Sequence, residues 1–364
     1  MSGAPVILAA ACTFPSGPTI ELADAAVRAQ LSLLQRHPDY IDQAGERCRG
    51  SFFPLDLPFD AGRWGVLAKA VLDQLANSLG DSLPSRGRPR PCALWLVLPD
   101  VDNRPGMPAD LLQTVTSNVQ EGPFRWERVV QCPGGHAAGI AALHEASGYL
   151  RAHPQSLVVV LGVESGLARE AMFWLDMQSL LHGTSSVHRG ETRTQPYGRV
   201  PGEGAAAVAL TASIEPGTGW ARLLGTGIAD EPAIHASGDV CIGAGLSRAA
   251  RDAIDLAASY GPDPIGSIMA DLNGEPYRAD QFGFTAMRLS RRLAPQWRRS
   301  VPALASGDLN AASSVAHVAL AAYAARSQPA SSPQLILASS DDPLRAAAVV
   351  GAFDLIPKLQ EACA

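Results

Sequence analysis

Apolar residues along the chain fall into two patterns. Uninterrupted runs bounded by Gly, Pro or Asp recur at Val6–Cys12, Ala93–Pro99, Leu157–Gly162, Ala205–Leu210, Ile265–Ala270 and Gln334–Ala338. A strand covered by helices on both faces has no polar side, so continuous rather than alternating apolar character predicts buried strands. Between them, residues at helical spacing predict helices at roughly 21–36, 62–79, 108–119, 136–152, 167–181, 244–259, 281–294 and 310–326. Strands alternating with helices predict an α/β fold with a mostly parallel sheet.

Two segments share a form. Val129-Val-Gln-Cys-Pro-Gly-Gly-His136 leads from a strand through a Gly-rich turn into an Ala-dense helix, and Leu304-Ala-Ser-Gly-Asp-Leu-Asn310 does the same before Ala311–Leu320. Small residues at both helix starts let backbones approach closely, as a central buried helix pair requires. The halves therefore read as diverged copies, 1–212 and 213–364, with the junction at Ser213–Gly219. The polar segment Gly183–Arg199, rich in Gly, Ser and Thr, has neither period and predicts a surface excursion.

Composition narrows the function classes. The length of 364 residues suits two halves sharing an interface, and 47% hydrophobic against 18% charged residues leaves apolar surface for a large core. A net charge of −6 and a pI near 5.8 give no electrostatic reason for a nucleic-acid or anionic-membrane partner. The basic runs Arg86–Arg90 and Arg291–Arg292 read as solvated surface. The cysteines at 12, 48, 92, 132, 241 and 363 form no CxxC pair and no metal-ligand spacing, which points to a reducing, cytoplasmic compartment rather than a disulfide framework. Val6–Cys12 lacks a basic flank and is too short for a signal peptide or a membrane span. No cofactor or metal is called for.

Ala142–Arg151 followed by Leu157–Glu164 resembles the nucleophile-bearing helix and the next strand of β-ketoacyl-ACP synthases. Tyr197-Gly-Arg-Val-Pro-Gly-Glu-Gly-Ala-Ala-Ala-Val-Ala-Leu210 resembles the Gly-Glu-Gly-Ala turn and strand of the same thiolase-like family. The second match is the more specific, and with the strand order the resemblance covers residues from about 90 to 350; the first 90 are only compatible with it. It implies a thiolase-like five-layer αβαβα sandwich of two pseudo-duplicated halves, normally a homodimer.

The resemblance also implies a catalytic Cys at a helix N-terminus, where the dipole favours a thiolate. Counting in register puts His136 there. Of the family's two catalytic histidines, the first falls on Leu272 or Asn273 within Asp271–Asp280, and the second on Asp308, with Ala303 where a Lys often precedes it. The family's Gly-rich oxyanion loop falls on Ser339–Arg345, where two carboxylates and a proline oppose a developing oxyanion.

Each of these residues also has an ordinary structural reading. His136 suits a helix start hydrogen-bonded to a neighbouring loop, Cys132 a buried strand cysteine rather than a displaced nucleophile, and His144 and His317 satisfied interior histidines. Asp308 with Asn310 suits a helix cap, Glu203 a turn carboxylate bonded to nearby backbone, and Glu275 with Arg278 an ion pair. The resemblance with its altered site predicts a non-catalytic adaptor, chaperone or assembly protein. The alternatives are an acyltransferase or thioester hydrolase rebuilt around His136, Asp308 and Cys132, or an inactive partner of a ketosynthase; the protein partner is then an effector, a carrier protein or a ketosynthase. The loop Asp271–Phe284 also resembles one in divergent bacterial thiolase-like proteins, some of them encoded near type VI secretion effectors.

Overall fold

The computed structural model describes residues 3–80, 92–188, 190–212, 219–261, 264–329 and 331–354. The predicted basic run Arg86–Arg90, the junction up to residue 218 and Cys363 lie outside the described residues.

The chain begins with β1 (Val6–Thr13), α1 (Ile20–Arg28), β2 (Gln35–Ile41), β3 (Arg47–Gly50), α2 (Ala61–Leu79), β4 (Cys92–Leu98), α3 (Leu111–Gln120) and β5 (Trp126–Pro133). It continues through α4 (Ala138–Ala152), β6 (Leu157–Ser165), α5 (Arg169–Met177), β7 (Ser185–His188), β8 (Glu191–Thr194) and β9 (Glu203–Thr211). The remainder runs β10 (Ala221–Asp230), α6 (Ala244–Ala257), β11 (Ile265–Ala270), α7 (Pro276–Arg288), β12 (Leu293–Ser300), α8 (Ala303–Ser306), α9 (Ser313–Ser327), β13 (Gln334–Ser339) and β14 (Leu344–Ala352).

Ten strands form one continuous hydrogen-bonded array in the order β12-β11-β13-β14-β10-β1-β9-β6-β4-β5. Its two halves carry the same topology. From the centre outward, β1-β9-β6-β4-β5 matches β10-β14-β13-β11-β12: the outer three strands are parallel, and the next two run antiparallel to their neighbours. The halves join where β1 meets β10, at Val6↔Arg222 and Ile7↔Ala221. Helices α2 and α3 cover one outer face and α6 and α7 the other, while α4 and α9 lie between the halves, which gives five layers.

The predicted runs are strands, buried at nearly every position: β1, β4, β6 and β9 show no polar face. Helix α9 is buried almost all round because it packs against both halves, which explains why its sequence carries no amphipathic period. Its contact with α4 is a backbone approach. A Cβ on Gly139 would stand 2.5 Å from Val315 Cγ2 and 2.6 Å from Ser314 Oγ.

Several expectations need correction. The first predicted helix ends at Arg28, and Gln35 and Arg36, expected in its last turn, instead open β2 and pair with Gly50 and Arg49 of β3. The helix expected at 281–294 starts at Pro276, and proline is favoured in a first helical turn. The surface excursion at 183–199 contains the β7–β8 hairpin, exposed along β8. Strands β10, β12 and β14 lie outside the predicted runs. The β12 sequence Leu293–Ser300 is polar because it lies at the edge of the array.

Candidate functional site

His136 lies in the turn between β5 and α4 and is fully buried. Its Nε2 is 2.6 Å from Asp308 Oδ1, and its Nδ1 is 3.2 Å from a terminal nitrogen of Arg278. A guanidinium only donates. Nδ1 is therefore the acceptor, and the ring proton sits on Nε2, donated to Asp308. Both ring nitrogens are occupied by the protein itself.

Asp308 is fixed by backbone on both sides. Its amide donates to Val200 O at 2.8 Å, and its carbonyl accepts from the Gly202 amide at 3.0 Å. A Cβ on Gly202 would approach Ser306 O to 2.1 Å, so only glycine allows this bridge. Asp308 Oδ1 also accepts from the Asn310 amide at 3.0 Å, and Oδ2 accepts from Asn273 Nδ2 at 3.1 Å with Arg199 Nε at 3.4 Å. The bond from Asn310 closes a local turn from one residue before Leu309, the N-cap of the single turn Asn310–Ala312, and neither that turn nor α9 carries a side-chain cap, so the predicted helix cap is not formed. Burial alone would raise the Asp308 carboxyl, but His136, Arg199 and Arg278 hold it well below the usual carboxylate range.

The expected ion pair is present, with Arg278 Nε donating to Glu275 Oε2 at 2.6 Å, and it belongs to a larger network. Arg278 also reaches Asp271 at 2.9 Å, Asp341 at 2.7 Å and the Ser339 carbonyl. Arg199 reaches Glu275 at 2.6 Å and Asp341 at 3.1 Å. Burial would raise Glu275 too, yet Arg199 and Arg278 lower it. Two guanidinium groups thus stand among the carboxylates of Asp271, Glu275, Asp308 and Asp341. Ser340, in the turn after β13, accepts the Ala137 amide on its hydroxyl at 3.1 Å, so this backbone donor at the start of α4 is also engaged.

Of the residues predicted for the site, His136, Asn273 and Asp308 come together. Leu272 does not: it packs against the second hydrophobic core. Cys132 stands apart on β5, half-buried, where burial and then Glu145 push its thiol up to about 12. It lines an apolar cavity of about 190 Å³ with Leu98 and Leu111. Sequence reading missed Arg199 and Asp341 as members of the network. The signals were that Arg199 lies within the Tyr197–Leu210 match and that Asp341 is one of the two carboxylates of the Ser339–Arg345 loop.

Other expectations change as well. Glu203 is not a turn carboxylate on local backbone. It opens β9, fully buried, and pairs with the buried Arg63 of α2 at 2.7 Å, while also accepting from Ser165 Oγ and the Phe53 amide. His144 is exposed rather than interior, with Nδ1 at 2.9 Å from Thr226 Oγ1. His317 is interior but not satisfied: its Nδ1 has no partner among the described residues, and burial pushes it down to about 3. Among the described residues no group of His, Cys, Asp and Glu could hold a metal ion, and no helix is long and apolar enough to cross a membrane.

No protein-family model matches the sequence, and no curated protein matches it either. Solved structures do. A chain of a type II polyketide synthase complex, an acyl-carrier protein with its ketosynthase bound to the hexaketide, is 12% identical with a TM-score of 0.74, covering 97% of this chain and 100% of that one. A ketosynthase from module 6 of the bacillaene synthase of Bacillus subtilis 168 is 11% identical with a TM-score of 0.71, covering 96% and 72%. A chain of a ketosynthase in complex with its chain length factor from Xenorhabdus doucetiae is 14% identical with a TM-score of 0.67, covering 96% and 98%. At such identities the likeness speaks for architecture, and it does so over nearly the whole chain: the protein has the thiolase-like ketosynthase fold.

Proposed function

We propose that this protein is a non-catalytic ketosynthase-fold subunit that works by pairing with another protein. The observation that carries the reading is the occupation of both His136 nitrogens, with the proton on Nε2 given to Asp308 and the lone pair on Nδ1 taken by Arg278. A base needs a free lone pair facing substrate, and a condensing nucleophile needs a thiolate; His136 offers neither. The ionised Asp308 is the opposite of the donor that a developing enolate or oxyanion requires, and the Ala137 amide is already used.

A pairing role draws support from β5, which ends the array with one edge unpaired among the described residues and carries half-buried Val129 and Val130. Such an edge is a template for another strand. The likeness to a chain of a ketosynthase–chain length factor complex favours a partner of the same fold, a second copy or a separate ketosynthase. The association with type VI secretion draws no support from these comparisons. We take the halves 1–212 and 213–364 as the two units of this protein, a division supported by the matching strand order on the two sides of the array.

The test is a condensation assay with malonyl and acyl thioesters, followed by intact-protein mass spectrometry. The expected result is no turnover above background and no acyl adduct. Turnover lost on His136→Ala overturns the reading, and so does selective alkylation of Cys132 by iodoacetamide at neutral pH, because its raised thiol should react slowly.

A further inference from the structure

The two halves share a topology, and their corresponding surfaces differ in one place. Helices α4 and α9 are equal in length, so Glu145, Tyr149 and the flanking His153 correspond to Leu320, Ala324 and Gln328. In the first half this helix face is closed against the sheet. Trp95 of β4 meets the Tyr149 ring edge-on at 5.2 Å and donates to Glu145, His153 stacks on Tyr149 at 4.1 Å, and Arg128 of β5 lies over the same ring at 5.6 Å.

In the second half the corresponding space is open. Ala324 stands in the place of Tyr149, and a groove of about 670 Å³ runs between α9, β11, β12 and α1. That volume lies within the range of small-molecule sites. Leu320, Ala324 and Met269 give it an apolar wall, and Arg298, in register with Ser267 of β11, stands on its rim. The other two arginines of the groove are engaged, Arg28 with Asp24 at 3.3 Å and Arg299 over the Phe282 ring on the far face of the sheet. Among the described residues Arg298 has neither an ion pair nor a hydrogen bond, and Asp24 is the only carboxylate lining the groove.

We infer that this groove binds a small aromatic anion, whose ring lies over Ala324 where the first half places Tyr149 and whose carboxylate, sulfonate or phosphate pairs with Arg298. The complementary features are the vacated ring space and the single unpaired cation beside it.

The experiment titrates the full chain with 8-anilinonaphthalene-1-sulfonate by fluorescence, in competition with 1-naphthoate. Expected is one saturable site per chain, displaced by naphthoate. Arg298→Gln should weaken it about tenfold, the loss of one charge-assisted contact, with the difference shrinking at high salt. Ala324→Tyr, which rebuilds the plug of the other half, should weaken it at least as much with the thermal midpoint preserved. If that variant does not fold, Arg298→Gln decides alone. Absence of saturable binding, failure of naphthoate to compete, or unchanged affinity in a folded variant overturns the inference.

Discussion

Replacing Asp308 by Asn keeps the side chain's shape and removes its charge, and the contacts around it set the size of the effect. On the Oδ1 side, the donors from His136 and the Asn310 amide are still met by an amide oxygen. On the Oδ2 side, the new NH2 group faces two further donors, Asn273 Nδ2 at 3.1 Å and Arg199 Nε at 3.4 Å. Two contacts to the carboxylate are lost, a hydrogen bond from the neutral Asn273 amide and a longer ion-pair contact from Arg199, each worth about 1.5 kcal/mol, and Arg199 keeps Glu275 and Asp341. The expected loss is therefore about 3 kcal/mol, at the lower end of the effect of removing one partner from a buried ion pair. Urea unfolding of wild type and variant at pH 7 reads it directly. The pH dependence follows from the depressed Asp308 carboxyl. The stabilisation is fully present above the unfolded value of about 3.9 and is lost as pH falls toward the folded value, so the two curves should stay parallel from pH 8 to about 5 and converge below about 4. A difference under about 1 kcal/mol at pH 7, or a gap that widens in acid, would refute the placement of Asp308 at the centre of the network.

Two more outcomes follow from buried groups elsewhere. Arg63→Met leaves the Glu203 carboxylate without its partner deep between α2 and β9, and should cost about 3–5 kcal/mol in chemical denaturation. Adding Glu203→Gln should recover part of that loss; no recovery would mean that Arg63 acts through packing. His317→Leu removes the unpaired Nδ1 and should raise stability by about 1–2 kcal/mol at pH 7.5. Because His317 is pushed down to about 3 while the unfolded chain takes up a proton below about 6.5, wild type should lose further ground to the variant as pH falls from about 6.5 toward 3. A constant difference across that range would count against a neutral buried His317.

The sequence by itself determined the layering. Runs such as Val6–Cys12 and Leu157–Gly162 admit no exposed face, so burial on both sides, and hence a strand between helices, follows from composition over a few residues. The paired Gly-rich turns before α4 and α9 marked the central helices for the same local reason: only small residues permit the approach at Gly139. His136, Asn273 and Asp308 could be picked out because each stands at a position where a motif places a side chain. What the sequence did not determine was their partners. Arg199, Arg278 and Asp341 reach the cluster from the segment before β9, the start of α7 and the turn after β13, and no local pattern links residues so far apart. Glu203 misled for the same reason, since its partner Arg63 lies 140 residues away. Edge strands such as β12 escaped because a half-exposed strand loses the apolar continuity that identifies a buried one. Whether a buried carboxylate or imidazole is free to react depends on which charges surround it, and for His136 and Asp308 only the tertiary fold brings those charges together.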